Sequence, residues 1–147
     1  MQKRRALTRV VLGSLGLAIV GVVGCGPSIP ANVDVFPRDG ETVARNAAVW
    51  VAVDPSSVSV RDFALSEVYN GQYLPVAVDA YQGDYLGEYV FCPRQTLSAW
   101  TSYYAEARVG SETFGWYFDT DGSYDGDPLE CYYVTGRGLI RSAARNQ

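Results

Sequence analysis

Histidine is missing from this 147-residue chain, and lysine occurs once, as Lys3. Without an imidazole there is no Ser-His-Asp or Cys-His nucleophile system and no histidine-ligated zinc. With no lysine after position 3 there is no Schiff-base amine, and no phosphate loop completed by its lysine, in the rest of the chain. Carboxylate-pair chemistry of the glycoside hydrolase kind survives these exclusions, but the spacing of the 16 Asp and Glu residues singles out no pair. Long apolar runs are scarce as well. The longest, Val10 to Gly24, is interrupted only by Ser14 and holds four glycines. At 15 residues it falls short of the roughly 20 that a membrane-spanning helix needs. The chain is therefore not expected to be an enzyme or to cross a bilayer with a helix.

What stands around that run is a leader. Lys3, Arg4 and Arg5 precede it and small residues close it, as in a secretory signal. Its end, Val22-Val23-Gly24-Cys25, resembles the lipobox of bacterial lipoproteins. That resemblance implies cleavage before Cys25, a diacylglyceryl thioether on its sulfur and an acyl chain on its new amino group. Several acyl chains hold a protein on a bilayer durably, each buried CH2 contributing about 0.8 kcal/mol. The expected layout is a signal peptide over 1–24, a lipidated tether over 25–31, a domain over 32–120, and an acidic loop with a C-terminal extension over 121–147. Gly26 after the cysteine resembles outer-membrane lipoproteins of enteric bacteria, so the expected address is the bacterial cell envelope, lipid-anchored on the outer membrane.

Removing 24 of 147 residues leaves 123, one domain's worth. The leader takes four basic residues with it, leaving 8 Arg against 16 acids and a net charge of −8. Such a surface repels phosphate backbones, and no nucleic-acid partner is expected. With Cys25 carrying lipid, Cys92 and Cys131 remain as an even pair in an oxidising compartment. They are expected to form a disulfide; two separate buried thiols are the alternative.

After the tether, with Pro27 and Pro30, the pattern becomes short alternating runs. Val33 and Val35 lead to the turn Pro37-Arg38-Asp39-Gly40. Ala47 to Val53 then carries valines on one face and Ala48, Trp50 and Ala52 on the other, as a central strand would. Val58 to Leu65 changes parity between Val60 and Phe63, which predicts a bulge near Arg61. Asn70-Gly71 is a hairpin turn between Ser66–Tyr69 and a strand over Tyr73–Tyr81. Strands follow over Tyr85–Cys92, Thr101–Val109 and Glu112–Asp119, with Pro93 stopping the first and Gly110-Ser111 turning between the last two. Seven or eight short strands at this spacing, with no long helical stretch, predict an all-β sandwich or barrel of antiparallel strands.

Val33, Pro37, Asp39, Gly40, Val43 and Asn46, then Phe91, Pro93, Leu97, Thr101 and Tyr103, then Phe118 and Thr120, stand in an order that resembles the bacterial immunoglobulin-like domains of S-layer and other surface proteins. The resemblance covers residues 32–120 and implies an immunoglobulin-like β-sandwich of about seven antiparallel strands with a spacer, adhesive or accessory role. It departs at Val53, where the family usually has Phe, and at Val109–Glu112, where a longer insertion is common. Tyr103, early in a late strand, fits a tyrosine corner; a plain core or surface tyrosine is the other reading.

Two stretches are candidate sites. Asp119, Asp121, Ser123, Asp125 and Asp127 alternate as in a calcium loop, with Gly126 for the sharp turn. Counted from Asp121, position twelve is Tyr132 rather than Glu; counted from Asp119, Tyr124 replaces the glycine. A solvated acidic loop is thus the main reading and calcium the secondary one. The second candidate is aromatic: Tyr69, Tyr73, Tyr81, Tyr85, Tyr124, Tyr132 and Tyr133 lie at or near predicted turns. There they would serve sugars or partner proteins, or simply cover sheet edges. The expected function is a non-catalytic binding or structural role for a membrane-anchored envelope lipoprotein with an envelope protein as partner. A carbohydrate-binding or adhesive module using the Tyr-rich turns, with or without calcium, is the alternative.

Overall fold

The computed structural model describes residues 29–124. Nine strands follow one another there: β1 (Val33–Phe36), β2 (Thr42–Val43), β3 (Val49–Val53), β4 (Val60–Tyr69), β5 (Gln72–Val76), β6 (Val78–Gln82), β7 (Glu88–Pro93), β8 (Ser102–Val109) and β9 (Glu112–Thr120). They form two sheets, one in the order β1-β3-β7-β6 and the other in the order β2-β9-β8-β4-β5. Lettered as immunoglobulin strands these are A-B-E-D and A′-G-F-C-C′, so the molecule is an all-β sandwich with immunoglobulin strand order. Every paired neighbour is antiparallel except β2 and β9, which run parallel with Thr42 opposite Asp119.

Alternation decides what lies between the sheets. Val49, Val51 and Val53 of β3, Phe63 and Leu65 of β4, Phe91 of β7, and Phe114, Trp116 and Phe118 of β9 all point inward and are buried. Large side chains face small ones: on the β8–β9 pair Ala105 stands opposite Trp116 and Ala107 opposite Phe114. That leaves room for the bulky rings at native density. Phe63 stacks on Phe91 across the sheets with centroids 3.7 Å apart. The Trp116 indole N–H, fully buried, donates to the Pro37 carbonyl at 2.9 Å, which meets the requirement that a buried donor be partnered.

The tyrosine corner is present. Tyr103 is buried at the start of β8, and its hydroxyl accepts the Ser98 backbone N–H at 2.8 Å. The bulge also falls where the parity change put it. β4 pairs Arg61 with Arg108 and then Ala64 with Glu106, and Asp62 between them takes φ 52°. Four expectations are corrected. The strands expected over Val58–Leu65 and Ser66–Tyr69 merge into one, β4, which begins only at Val60. The single strand over Tyr73–Tyr81 is two, because the chain leaves one sheet after Val76 and joins the other at Val78. Tyr85 and Leu86 belong to a turn, and β7 begins only at Glu88. Pro93 does not end pairing but is the last residue of β7, opposite Val78.

The registers give the sandwich two ends. The chain enters at Ile29 to Asn32, beside the β3–β4 loop, the β6–β7 turn and the β8–β9 turn. At the other end lie the β4–β5 hairpin, the β7–β8 connection with Trp100, and residues 121–124.

Candidate functional site

Along β8 and β9 the residues between the buried ones face outward, and the hairpin register sets Tyr104 directly opposite Tyr117. Tyr73 reaches the same face from β5, where it pairs with Val68 of β4. The three rings form a row across the outer face of the five-stranded sheet. Tyr104 meets Tyr73 edge-on at 5.3 Å and Tyr117 at a tilt at 4.8 Å, both separations within the range of favourable aromatic pairs. The hydroxyls of Tyr73 and Tyr117 share a hydrogen bond of 2.5 Å. Tyr73 and Tyr117 are 50% and 44% exposed.

Two features fix this row in place. Gly115 leaves the hollow into which the Tyr104 ring lies, since a Cβ there would sit 2.0 Å from the Tyr104 hydroxyl. Asp39 accepts the Tyr117 backbone N–H at 2.9 Å while the Gly40 N–H donates to the Tyr117 carbonyl at 2.8 Å, so the β1–β2 connection clamps the peptide under the ring. The electrostatics favour neutral phenols. Tyr117 is pushed up to about 12, first by its hydrogen bond to Tyr73, then by burial, then by the charges of Tyr73, Tyr104 and Asp39. Tyr104 is raised too, chiefly by burial and then by the charges of Glu106 and Tyr73.

Polar side chains border the row. Ser102 donates to Asp119 at 2.6 Å across β8 and β9, and Ser66 stands opposite Tyr104 on β4. A rigid aromatic strip with hydroxyls and carboxylates at its margin can hold a flat, partly apolar ligand by stacking and orient it by hydrogen bonds. A cleft of about 420 Å³ opens at the far end of the sandwich, where Glu67, Arg94, Gln95 and Ser98 line it. Arg94 is bound to Asp79 at 2.9 Å, and Glu67 accepts the Ser98 hydroxyl at 3.1 Å.

The residues singled out in the sequence fare differently. Asp119 is engaged with Ser102, and Asp121 accepts both the backbone N–H and the hydroxyl of Ser123, which hold its carboxyl below the usual range. Both carboxylates are thus occupied by serine donors. Asp125 and Asp127 lie outside the described residues, and among those described no group of three or more Cys, Asp or Glu is placed to hold a metal ion. Cys92 lies next to the end of β7, buried beside Ala48 and Val90. Cys25 and Cys131 lie outside the described residues, as do Tyr132 and Tyr133.

The five turn tyrosines among the described residues do not gather. Tyr69 and Tyr124 are exposed at one end, Tyr85 at the other, and Tyr81 packs on the Ala48, Val90 and Cys92 cluster. Of the five that lie among the described residues, only Tyr73 belongs to the row. Tyr104 and Tyr117 were missed because they sit within strands. The signal that finds them is parity about the Gly110-Ser111 turn, which makes Tyr104 and Tyr117 partners.

No family model matches the chain, and no curated protein matches it. Among solved structures it is similar to PcoC, a methionine-rich copper resistance protein from Escherichia coli, at 18% identity and a TM-score of 0.49, with 60% of this chain and 94% of that one covered. The selenomethionine form of PcoC gives 17% and 0.47, covering 60% and 96%. No conclusion about what this chain binds follows from a likeness of that size. The immunoglobulin-type class rests on the strand order itself.

Proposed function

We propose that this chain is a bacterial envelope lipoprotein, anchored through acyl groups on Cys25, whose immunoglobulin-like domain binds a partner without catalysis. The observation that carries the reading is the Tyr73, Tyr104 and Tyr117 row, ordered by Gly115 and Asp39 on an open sheet face. The anchor is supported by the lipobox-like Val22-Val23-Gly24-Cys25, and an outer-membrane location by Gly26. A non-catalytic role is supported by the lack of histidine and of any lysine after Lys3. A Cys92–Cys131 disulfide belongs to the same reading, and what supports it is that Cys92 is engaged rather than a free thiol.

A carbohydrate as the bound partner is the second reading. A row of outward-facing tyrosines flanked by Ser102, Ser66 and Asp119 favours it, because sugars present an apolar face and a hydroxylated rim. The test compares the lipoprotein with its Gly115→Ala variant, which displaces the Tyr104 ring from its hollow. Capture of an envelope protein or binding on a glycan array should fall at least about tenfold in the variant while the fold persists. Equal capture by both proteins sinks the tyrosine row as the binding face.

A further inference from the structure

The end of the sandwich where the chain enters is knit together by backbone. The Asp54 N–H donates to the Asn32 carbonyl and the Asn32 side chain to the Asp54 carbonyl, both at 3.0 Å, and the Val53 N–H donates to the Gly87 carbonyl at 2.9 Å. The β6–β7 turn is thereby held beside residues 29–32. Its polar groups are spent on its own shape. Glu88 accepts the Tyr85 N–H at 3.2 Å, and the Gln82 amide donates to the carbonyls of Tyr85 and Glu88 at 3.1 and 2.8 Å. Gly87, at φ 85°, lies so close to β3 that a Cβ would stand 2.6 Å from the Val53 carbonyl.

This well-braced turn shows solvent its two largest apolar side chains, Tyr85 at 78% and Leu86 at 85% exposure. A turn with no internal use for a leucine and a tyrosine has them pointing outward beside the point of chain entrance. Cys25 and Ile29 stand four positions apart in the chain. That stretch spans at most about 14 Å when fully extended, so lipid on Cys25 keeps this end of the domain within reach of the bilayer surface.

Resting on the anchor proposed above, we propose that Tyr85 and Leu86 sit in the headgroup layer of that membrane, so that the turn is a second point of contact with lipid. Tyrosine is suited to this boundary, with an apolar ring and a polar tip, and leucine reaches the upper part of the acyl chains, about 5–10 Å below the surface. The carboxylates of Asp34, Asp54 and Glu88 line the hollow beside the turn. They repel anionic headgroups, and the surface that fits is zwitterionic. With two contacts at one end, the sandwich stands on the membrane and the opposite end, with Trp100, points away.

The test uses the full lipoprotein, purified from membranes of the expressing bacterium and placed in phosphatidylcholine vesicles with or without brominated acyl chains. Its N-terminal mass is read on the same sample. In the Leu86→Trp variant the added indole emission should be roughly halved by the brominated chains, whereas the native emission, which includes Trp100 at the far end, stays unchanged. Amides 84–88 should exchange more slowly on vesicles than in detergent. An acylated protein whose added emission ignores the bromines overturns the contact and leaves the anchor standing. A protein without acyl mass overturns the anchor and, with it, the contact.

Discussion

Tyr103 and Tyr117 show how much a phenol's surroundings decide its task. Tyr103 is a brace: its hydroxyl accepts the Ser98 N–H, with the Glu67 carboxylate at 3.5 Å on its other side. Tyr103→Phe removes that acceptor and should lower stability to urea by about 1 kcal/mol, leaving the sheet registers intact. A loss of less than a few tenths would remove the corner as a structural device. Tyr117 is raised to about 12 while its unfolded value is near 10.0. A raised acid contributes stability that is fully present below the unfolded value and is lost as pH climbs through the folded one. The contribution should therefore hold up to about pH 10 and fade by about pH 12. In a carbon-13 tyrosine titration Tyr117 should ionise among the last of the phenols, and Tyr73→Phe, which deletes the first cause of the shift, should bring it back toward 10. An unmoved titration in that variant would mean the 2.5 Å hydrogen bond is not what raises it.

Strands and turns divide into those legible in the sequence and those that are not. Asn70-Gly71 reads directly as a hairpin, because both residues accept positive φ, and both have it, at 49° and 74°. Gly71→Ala should cost about 1 kcal/mol through backbone strain alone, measured by thermal melting, and an unchanged melt would show that the turn relaxes to another type. The bulge in β4 was legible for a similar reason, since Val60 and Phe63 cannot share a face without an extra residue. The sheet switch at Ala77 was not. Val76 and Val78 keep the period of two intact while the backbone crosses to the other sheet, and only packing against Leu65 on one side and Pro93 on the other separates them. The tyrosine row was half legible: the Gly110-Ser111 turn fixes Tyr104 opposite Tyr117, but Tyr73 joins them through the β4–β5 and β4–β8 registers, which no local pattern encodes.

At the scale of the whole molecule, the small sandwich combines a compact aromatic core with the proposed staple. If Cys92 and Cys131 are joined, a loop of about 40 residues is closed and reduction should destabilise the protein by about 4 kcal/mol in the chain-entropy model, less any strain. Melts that coincide with and without reductant would count against the bond. The parallel pairing of β2 with β9 has a mechanical side. Tension applied between Ile29 at one end and Tyr124 at the other drags these neighbours past each other lengthwise, with Thr42 beside Asp119 and Val43 beside Thr120. Their hydrogen bonds then share the load together instead of parting one by one, which slows forced unfolding.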